Sequence, residues 1–382
     1  MAEMSDQPAP AVVDAQEVST VGEIAQSRLI WMRFRRNKLA LIGGTGLIIM
    51  YVVIALGAFL AGNDYQYQNE DYLYGPPTPV TFTGPDGRFG LRPYTYPVST
   101  RLDVEAFKFV FDIDRETKLP IEFFARGDDY KLLGFIKGDV HLLGVEGDQR
   151  VYPLGADALG RDVFARLLVG GQVSLTVGLA GVALTIIFGS LMGTISGYFG
   201  GLADDVIQRV VELIMSFPTV PLWAALAAAM PPISGDFSAL DRYFLITVIL
   251  SLVNWTGLSR QLRAKVMAYR ESDFVMAALA AGAKDRRIIL TYMMPNAASH
   301  IIVVAALSIP GMILGETALS FLGLGILPPA VSWGSMLTDA QHVPVVIEHP
   351  WLMTPGIAVI IAVLFFSFLG DALRDAADPY SI

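Results

Sequence analysis

Residues able to do chemistry gather in two places. One is Asp273-Phe-Val-Met-Ala-Ala-Leu-Ala-Ala-Gly282, where Met276, Ala277, Ala278 and Gly282 are followed by Lys284, Asp285, Arg286 and Arg287, and then by Pro295. No nucleophile or general base stands among these groups, so the chemistry open to them is recognition of another surface. Asp273 to Ala281 reads as a short helix with Gly282 suited to a left-handed cap. Asp285 reads as the cap of a second helix running to Met294, with Pro295 as its stop. Two short helices meeting at a glycine form an elbow, and Ala277, Ala278 and Ala281 give it a face nearly free of side chains that suits another protein's groove. The second place is Glu316, an ionisable group inside an apolar run, where the cost of burial makes function the default expectation. It faces protein or a water-filled path, which makes it a candidate for a translocation path. Glu212 lies nearer a boundary and reads as hydrated. A proton relay would need a series of such groups, and the sequence has no such series.

Other chemistry is excluded by what is missing. There is no G-x-x-x-x-G-K-[ST] cradle for nucleotide phosphates, no H-E-x-x-H and no G-x-S-x-G, and His141, His300, His342 and His349 are scattered. Zero cysteines rule out disulfides, thiolate metal sites and a cysteine nucleophile. A net charge of −9 offers no basic face for nucleic acid. No cofactor is expected on this chain.

The elements that carry these residues are membrane-spanning. Of the 382 residues 53% are hydrophobic and only 16% charged, with mean hydropathy +0.51, outside the soluble range. The patterning predicts an all-α polytopic membrane protein of six transmembrane helices, with a small, mainly β or mixed extracytoplasmic insertion between the first and second. Spans are expected at Leu39–Ala61, Ser174–Gly197, Val206–Met230, Tyr243–Leu258, Ala298–Leu322 and Gly356–Leu369. The organisation is a disordered tail over 1–27, a basic lead-in and first span over 28–61, the insertion over 62–171, a five-helix core over 172–371 holding the loop 259–296, and a tail over 372–382. Strands are expected around 79–83 and 108–111. Arg33, Arg35, Arg36 and Lys38 before the first span put the N-terminus in the cytoplasm, and counting crossings puts the loop 259–296 and the C-terminus there too. That loop carries seven bases, Arg260, Arg263, Lys265, Arg270, Lys284, Arg286 and Arg287, against three acids, which agrees. Gly189, Gly193 and Gly197 form either a tight helix seam or simply the glycine common in membrane helices. Pro310-Gly311 breaks the fifth span's ladder as a kink, with or without a cavity beside it.

Met276-Ala-Ala-Leu-Ala-Ala-Gly282 and Tyr292-Met-Met-Pro295 resemble the Glu-Ala-Ala…Gly…Ile-x-Leu-Pro motif of ABC importer permeases. Tyr152-Pro-Leu-Gly-Ala-Asp-Ala-Leu-Gly-Arg-Asp162, Glu316-Thr-Ala-Leu-Ser-Phe-Leu-Gly-Leu-Gly325, Trp333-Gly334 and Phe368-Leu-Gly-Asp-Ala-Leu-Arg-Asp-Ala-Ala-Asp-Pro379 resemble the C-type permeases of dipeptide and oligopeptide importers. The resemblance implies a bacterial inner-membrane subunit paired with a second homologous permease. It further implies two ATPase subunits that bind ATP and Mg and dock on the elbow, and an extracytoplasmic solute-binding protein. Met276 replaces the motif's acid, so coupling there rests on packing and neighbouring charges. The long insertion, with Phe123-Phe-Ala-Arg-Gly-Asp-Asp-Tyr130, resembles a subgroup whose cargo is oligosaccharides or opines rather than peptides. An ion-driven secondary transporter would need inverted repeats and several buried ionisable groups, and a membrane-anchored sensor would do its work in residues 62–171.

Overall fold

A computed structural model describes residues 32, 34–83, 89–103, 108–132, 134–145, 149–235 and 237–377. The expected tail 1–27, Arg33 and residues 378–382 lie outside the described residues.

Among these, five helices are long and apolar enough to cross a membrane, or six if one bent pair is a single span. The first, α1, runs Lys38–Ala55, and Asn37 caps it by accepting from Leu39 N at 2.9 Å. A short α2 follows at Gly57–Leu60. After the insertion come α3 (Val163–Phe199), the bent pair α4 (Gly201–Met215) and α5 (Thr219–Ala228), and α6 (Ala239–Arg270). The elbow holds α7 (Asp273–Ala280) and α8 (Asp285–Arg287), and α9 (Met294–Phe321) continues from it. The chain then forms α10 (Trp333–Met336) and α11 (Val343–Glu348) and ends in α12 (Thr354–Ala377).

Four features differ from expectation. The second span starts at Val163, where Asp162 caps it through Phe164 N at 2.8 Å, so the end of the expected insertion is already helix. Its 37 residues make about 55 Å, well beyond a bilayer core of about 30 Å. The expected continuous third span is broken: α4 and α5 meet at 87°. Pro218, with ψ at 127° as the cap of α5, cannot continue the ladder because it lacks an N–H. The fourth span runs on through Arg270, so 259–270 is helix rather than loop, and α12 reaches Ala377, well into the expected tail.

The glycines of α3 form a seam against α6. A Cβ on Gly189 would stand 2.9 Å from the Leu258 side chain, one on Gly193 would stand 2.5 Å from Ser259 O, and one on Gly197 would stand 2.7 Å from Arg263 O. Contacts this short leave no room for a side chain, so backbone packs on backbone. Pro310 sits inside an unbroken α9, flanked by buried Ile309, Met312 and Ile313 that hold the helix through the one missing hydrogen bond.

The insertion is β. An antiparallel sheet runs in the order β1 (Thr81–Thr83), β2 (Phe89–Thr95), β5 (Leu119–Leu132), β6 (Ile136–Val145), and β3 (Val98–Asp103) pairs with β4 (Lys108–Ile113). The strands expected near 79–83 and 108–111 are β1 and β4. Tyr72, Tyr152 and Ala156 make a small core beneath it, with the rings of Tyr72 and Tyr152 stacked at 4.6 Å.

Candidate functional site

The elbow is built by local rules. α7 stops because Gly282 takes φ +76°, a conformation that strains any residue with a Cβ. Gly282 N donates to Leu279 O at 2.9 Å and Ala283 N donates to Ala278 O at 3.0 Å, the paired bonds of a Schellman ending. A Cβ on Gly282 would meet nothing within 4 Å, so the glycine is required by conformation and not by crowding. Beneath the turn, Val266 of α6, Val275 and Ala278 of α7, Ile288 and Met293 form a separate small core. That core makes the elbow a rigid extension of two long helices.

The expected site residues divide into two sets. Met276, Ala277, Gly282, Lys284, Asp285, Arg286 and Pro295 are exposed, whereas Ala278 points inward and belongs to the small core. Phe274 and Leu279 are exposed beside Met276, so the outward face of α7 is more apolar than a small-residue surface alone. Asp285 does not cap a helix by its side chain. Its carboxylate accepts from Tyr198 Oη at 2.7 Å and so ties the elbow to the end of α3. Pro295 does not stop the helix either. The turn before it, Ile288–Met293, is a π-helix, and the chain passes from it into α9 with Pro295 in the first turn, where a missing N–H costs least.

Glu316 is fully buried and faces protein. It accepts from Ser174 Oγ at 3.0 Å and from Ser320 Oγ at 2.6 Å. Ser174 Oγ also accepts from Trp333 N at 3.1 Å, and Ser320 Oγ accepts from Ile326 N at 2.9 Å. One carboxylate thereby joins α3, α9 and the segment leading to α10. A Cβ on Gly334 would stand 2.7 Å from Thr317 Cα, so Trp333-Gly334 packs against the Glu316 turn with no space between. Glu212 is half exposed and pairs with Arg209 at 3.1 Å.

Several further residues position these elements. Asp204 takes a two-pronged ion pair from Arg263, both contacts 2.6 Å, which fixes α4 against α6 beside the elbow. At the far end of the bundle Asp157 receives Arg161 at 2.8 Å and Arg166 at 3.2 Å, and Asn63 bridges Asp162 and Val151 O. In the sequence, Asp157, Arg161 and Asp162 stand within the Tyr152–Asp162 motif, and Asp204 shows only as an acid beside a glycine-rich run. In the insertion, a hydrogen bond from Arg150 holds the Asp128 carboxyl below the usual carboxylate range. Among the described residues, no group of three or more His, Asp or Glu is placed to hold a metal.

The arrangement is a rigid, outward, apolar knob on the prolonged ends of long helices. Residues 186–380 match the family described as binding-protein-dependent transport system inner membrane component, and residues 25–77 match the N-terminal TM domain of oligopeptide transport permease C. A putative peptide permease protein of Brucella ovis is 42% identical over 226 residues, 59% of this chain and 72% of that one. The oligopeptide transport system permease protein OppC of Haemophilus influenzae is 38% identical over 59% of this chain and 69% of its own. The dipeptide transport system permease protein DppC of Alkalihalophilus pseudofirmus is 36% identical over 62% of this chain and 74% of its own.

Proposed function

Because the chain belongs to the binding-protein-dependent transport system inner membrane components, among the C-type permeases of ABC peptide importers, we propose that it carries peptides or similar oligomeric solutes across the bacterial inner membrane as one half of a two-permease pore. A separate ATPase drives it through the elbow at Gly282, and an extracytoplasmic binding protein delivers the cargo. The observation that carries this reading is the exposed apolar face of α7, with Met276 56% and Leu279 43% exposed beside Ala277 on a segment with its own buried core. Apolar surface held rigidly in water is a docking surface. Bases at this end of the bundle, Lys265, Arg270, Lys284, Arg286 and Arg287, support a cytoplasmic elbow and cytoplasmic termini.

In this mechanism the chain does no bond-making. ATP favours one arrangement of the ATPase pair over another, and a rigid joint passes that difference to the helices as a population shift. Val266, Val275 and Ile288 lock α7 to α6, and the Tyr198–Asp285 bond ties α8, the other arm of the elbow, to α3, so a push on the elbow moves both long helices together. The seam of Gly189, Gly193 and Gly197 makes α3 and α6 one body.

Two measurements test the reading. Gly282→Val forces a β-branched residue into a left-handed conformation, at a cost of about 1–2 kcal/mol. Membrane insertion should survive while ATP-driven uptake falls at least tenfold, and normal uptake with normal stimulation of hydrolysis would refute the coupling role. Ala277→Cys, the sole thiol in the chain, should cross-link to the ATPase in a nucleotide-dependent way, and an adduct-free elbow would remove the docking claim.

A further inference from the structure

The two long helices of the glycine seam run parallel, because Gly189, Gly193 and Gly197 of α3 meet Leu258, Ser259 and Arg263 of α6 in the same order. The chain leaves α3 at the elbow end and must enter α6 at the other end, so α4 and α5 carry it back across. Their 87° break falls in the middle of that crossing. Before the break, Met215 Sδ lies 3.6 Å from Arg260 Nη1, and after it Trp223 packs with Leu250 on Gly315. The break is therefore level with the part of α6 between Leu250 and Arg260, and α6 extends about 15 Å beyond that part at either end.

The break is open. Residues 216–221 are all exposed, and no side chain caps α5 at Pro218. Among the described residues no donor reaches the carbonyls of Met215, Ser216 and Phe217, and no acceptor reaches the N–H groups of Thr219 and Val220. Pro221 lacks the N–H that a continuous helix would have turned toward Phe217 O. Lipid offers such groups nothing, so exposed backbone in the middle of a crossing belongs beside water.

The side chains of α4 point to the same side. Asp205, Arg209, Glu212 and Ser216 recur at steps of four, three and four residues, which aligns them in one stripe that ends at the break. Arg209 and Glu212, paired at 3.1 Å, have side chains 84% and 56% exposed. Leu202, Val206, Val210 and Leu213 are exposed on a different side of the helix. A crossing helix turns its charges to water and its apolar side to lipid or protein. Between the stripe and α6 lies a cleft of about 280 Å³, whose charged groups are Asp204, Asp205 and Glu212 against Arg209, Arg260 and Arg263, so it carries no net charge.

We propose that this stripe and the break form this chain's wall of the water-filled cargo path, and that the unpaired backbone groups from Met215 to Val220 hydrogen-bond with the amides of a peptide passing along it. The proposal rests on the reading of the chain as half of a two-permease pore. Carbonyl and N–H groups match the main chain of a peptide whatever its side chains, and main-chain bonding gives affinity without selecting sequence. Phe217 and Val220, 51% and 47% exposed, offer apolar contact beside them. The balanced cleft favours neither acidic nor basic cargo.

The test uses the complete transporter in nanodiscs, where a membrane-impermeant methanethiosulfonate reaches both faces, with one thiol at a time in this cysteine-free chain. Ser216→Cys and Glu212→Cys should be modified about tenfold faster than Val210→Cys. Equal rates at the three positions, or an unreactive Ser216→Cys, would put the break against lipid or against the second permease and overturn the wall. Excess trialanine should slow modification of Ser216→Cys about threefold, whereas excess sucrose should not. No protection, or equal protection by both, overturns the peptide contact. Labelling needs neither nucleotide nor the elbow, so a shielded Ser216→Cys in a transporter whose cysteine-free parent still takes up cargo would remove the wall and leave the proposed coupling standing.

Discussion

Glu316 is a carboxylate that the fold uses as a junction. It satisfies Ser174 and Ser320, which in turn receive the backbone N–H groups of Trp333 and Ile326. Removing it leaves buried hydroxyls without their acceptor, so Glu316→Ala should lower the stability of the detergent-solubilised protein by about 3 kcal/mol, and Glu316→Gln by about 1 kcal/mol. Thermal unfolding followed by tryptophan fluorescence measures both. If melting were unchanged while uptake vanished, Glu316 would belong to the translocation path instead. Its oddity was legible from one line of sequence, because a charge in an apolar run stands out. Its partners were not, since Ser174 lies 142 positions away and serine is unremarkable anywhere. Gly282 is the opposite case: the bonds that demand it span only a few residues, so a local pattern was enough to find it.

Between elements, α3 lies against α6 where glycines let the two backbones touch. Gly193→Leu should drive a side chain into Ser259 and Leu262 and cost about 1–3 kcal/mol. Gly257, which faces open space, is the control: Gly257→Leu should leave the melting temperature unchanged or raise it slightly, because leucine is the better helix former. Equal losses at both positions would refute the seam. Spacing alone left this seam undecided, since small residues at every fourth position are also simply common in membrane helices. The break in the third span and the helix through Pro295 escape sequence patterning for a related reason. Hydropathy counts apolar residues without direction, so it could not see an 87° turn at Pro218. A proline reads as a stop unless the preceding turn widens, as the π-turn Ile288–Met293 does.

At the scale of the whole molecule, polar contacts brace the insertion internally and tie it to the head of α3. Arg150 grips Asp128 at 2.6 Å and covers the Tyr67 ring at 3.7 Å, and Asn63 reaches Asp162 at the head of α3. Because Arg150 holds the Asp128 carboxyl below its ordinary value, the ion pair contributes fully above the unfolded carboxylate value of about 3.9 and is lost as pH falls below it. Limited proteolysis should nick the insertion faster at acid pH than at neutral pH, and Asp128→Asn should be nicked at neutral pH and lose that pH dependence. Equal rates for both proteins at every pH would show that the pair fastens nothing. Composition and hydropathy by themselves determined that the chain spans a membrane and carries a β insertion, because burying apolar length in lipid and alternating strands are properties of contiguous residues. The elbow's turn was determined in the same way. Which helices share an interface, what Glu316 holds, and where the insertion rests were decided only by the tertiary structure. Those outcomes depend on pairs of groups far apart in the chain, and no local preference records whether such a pair will meet.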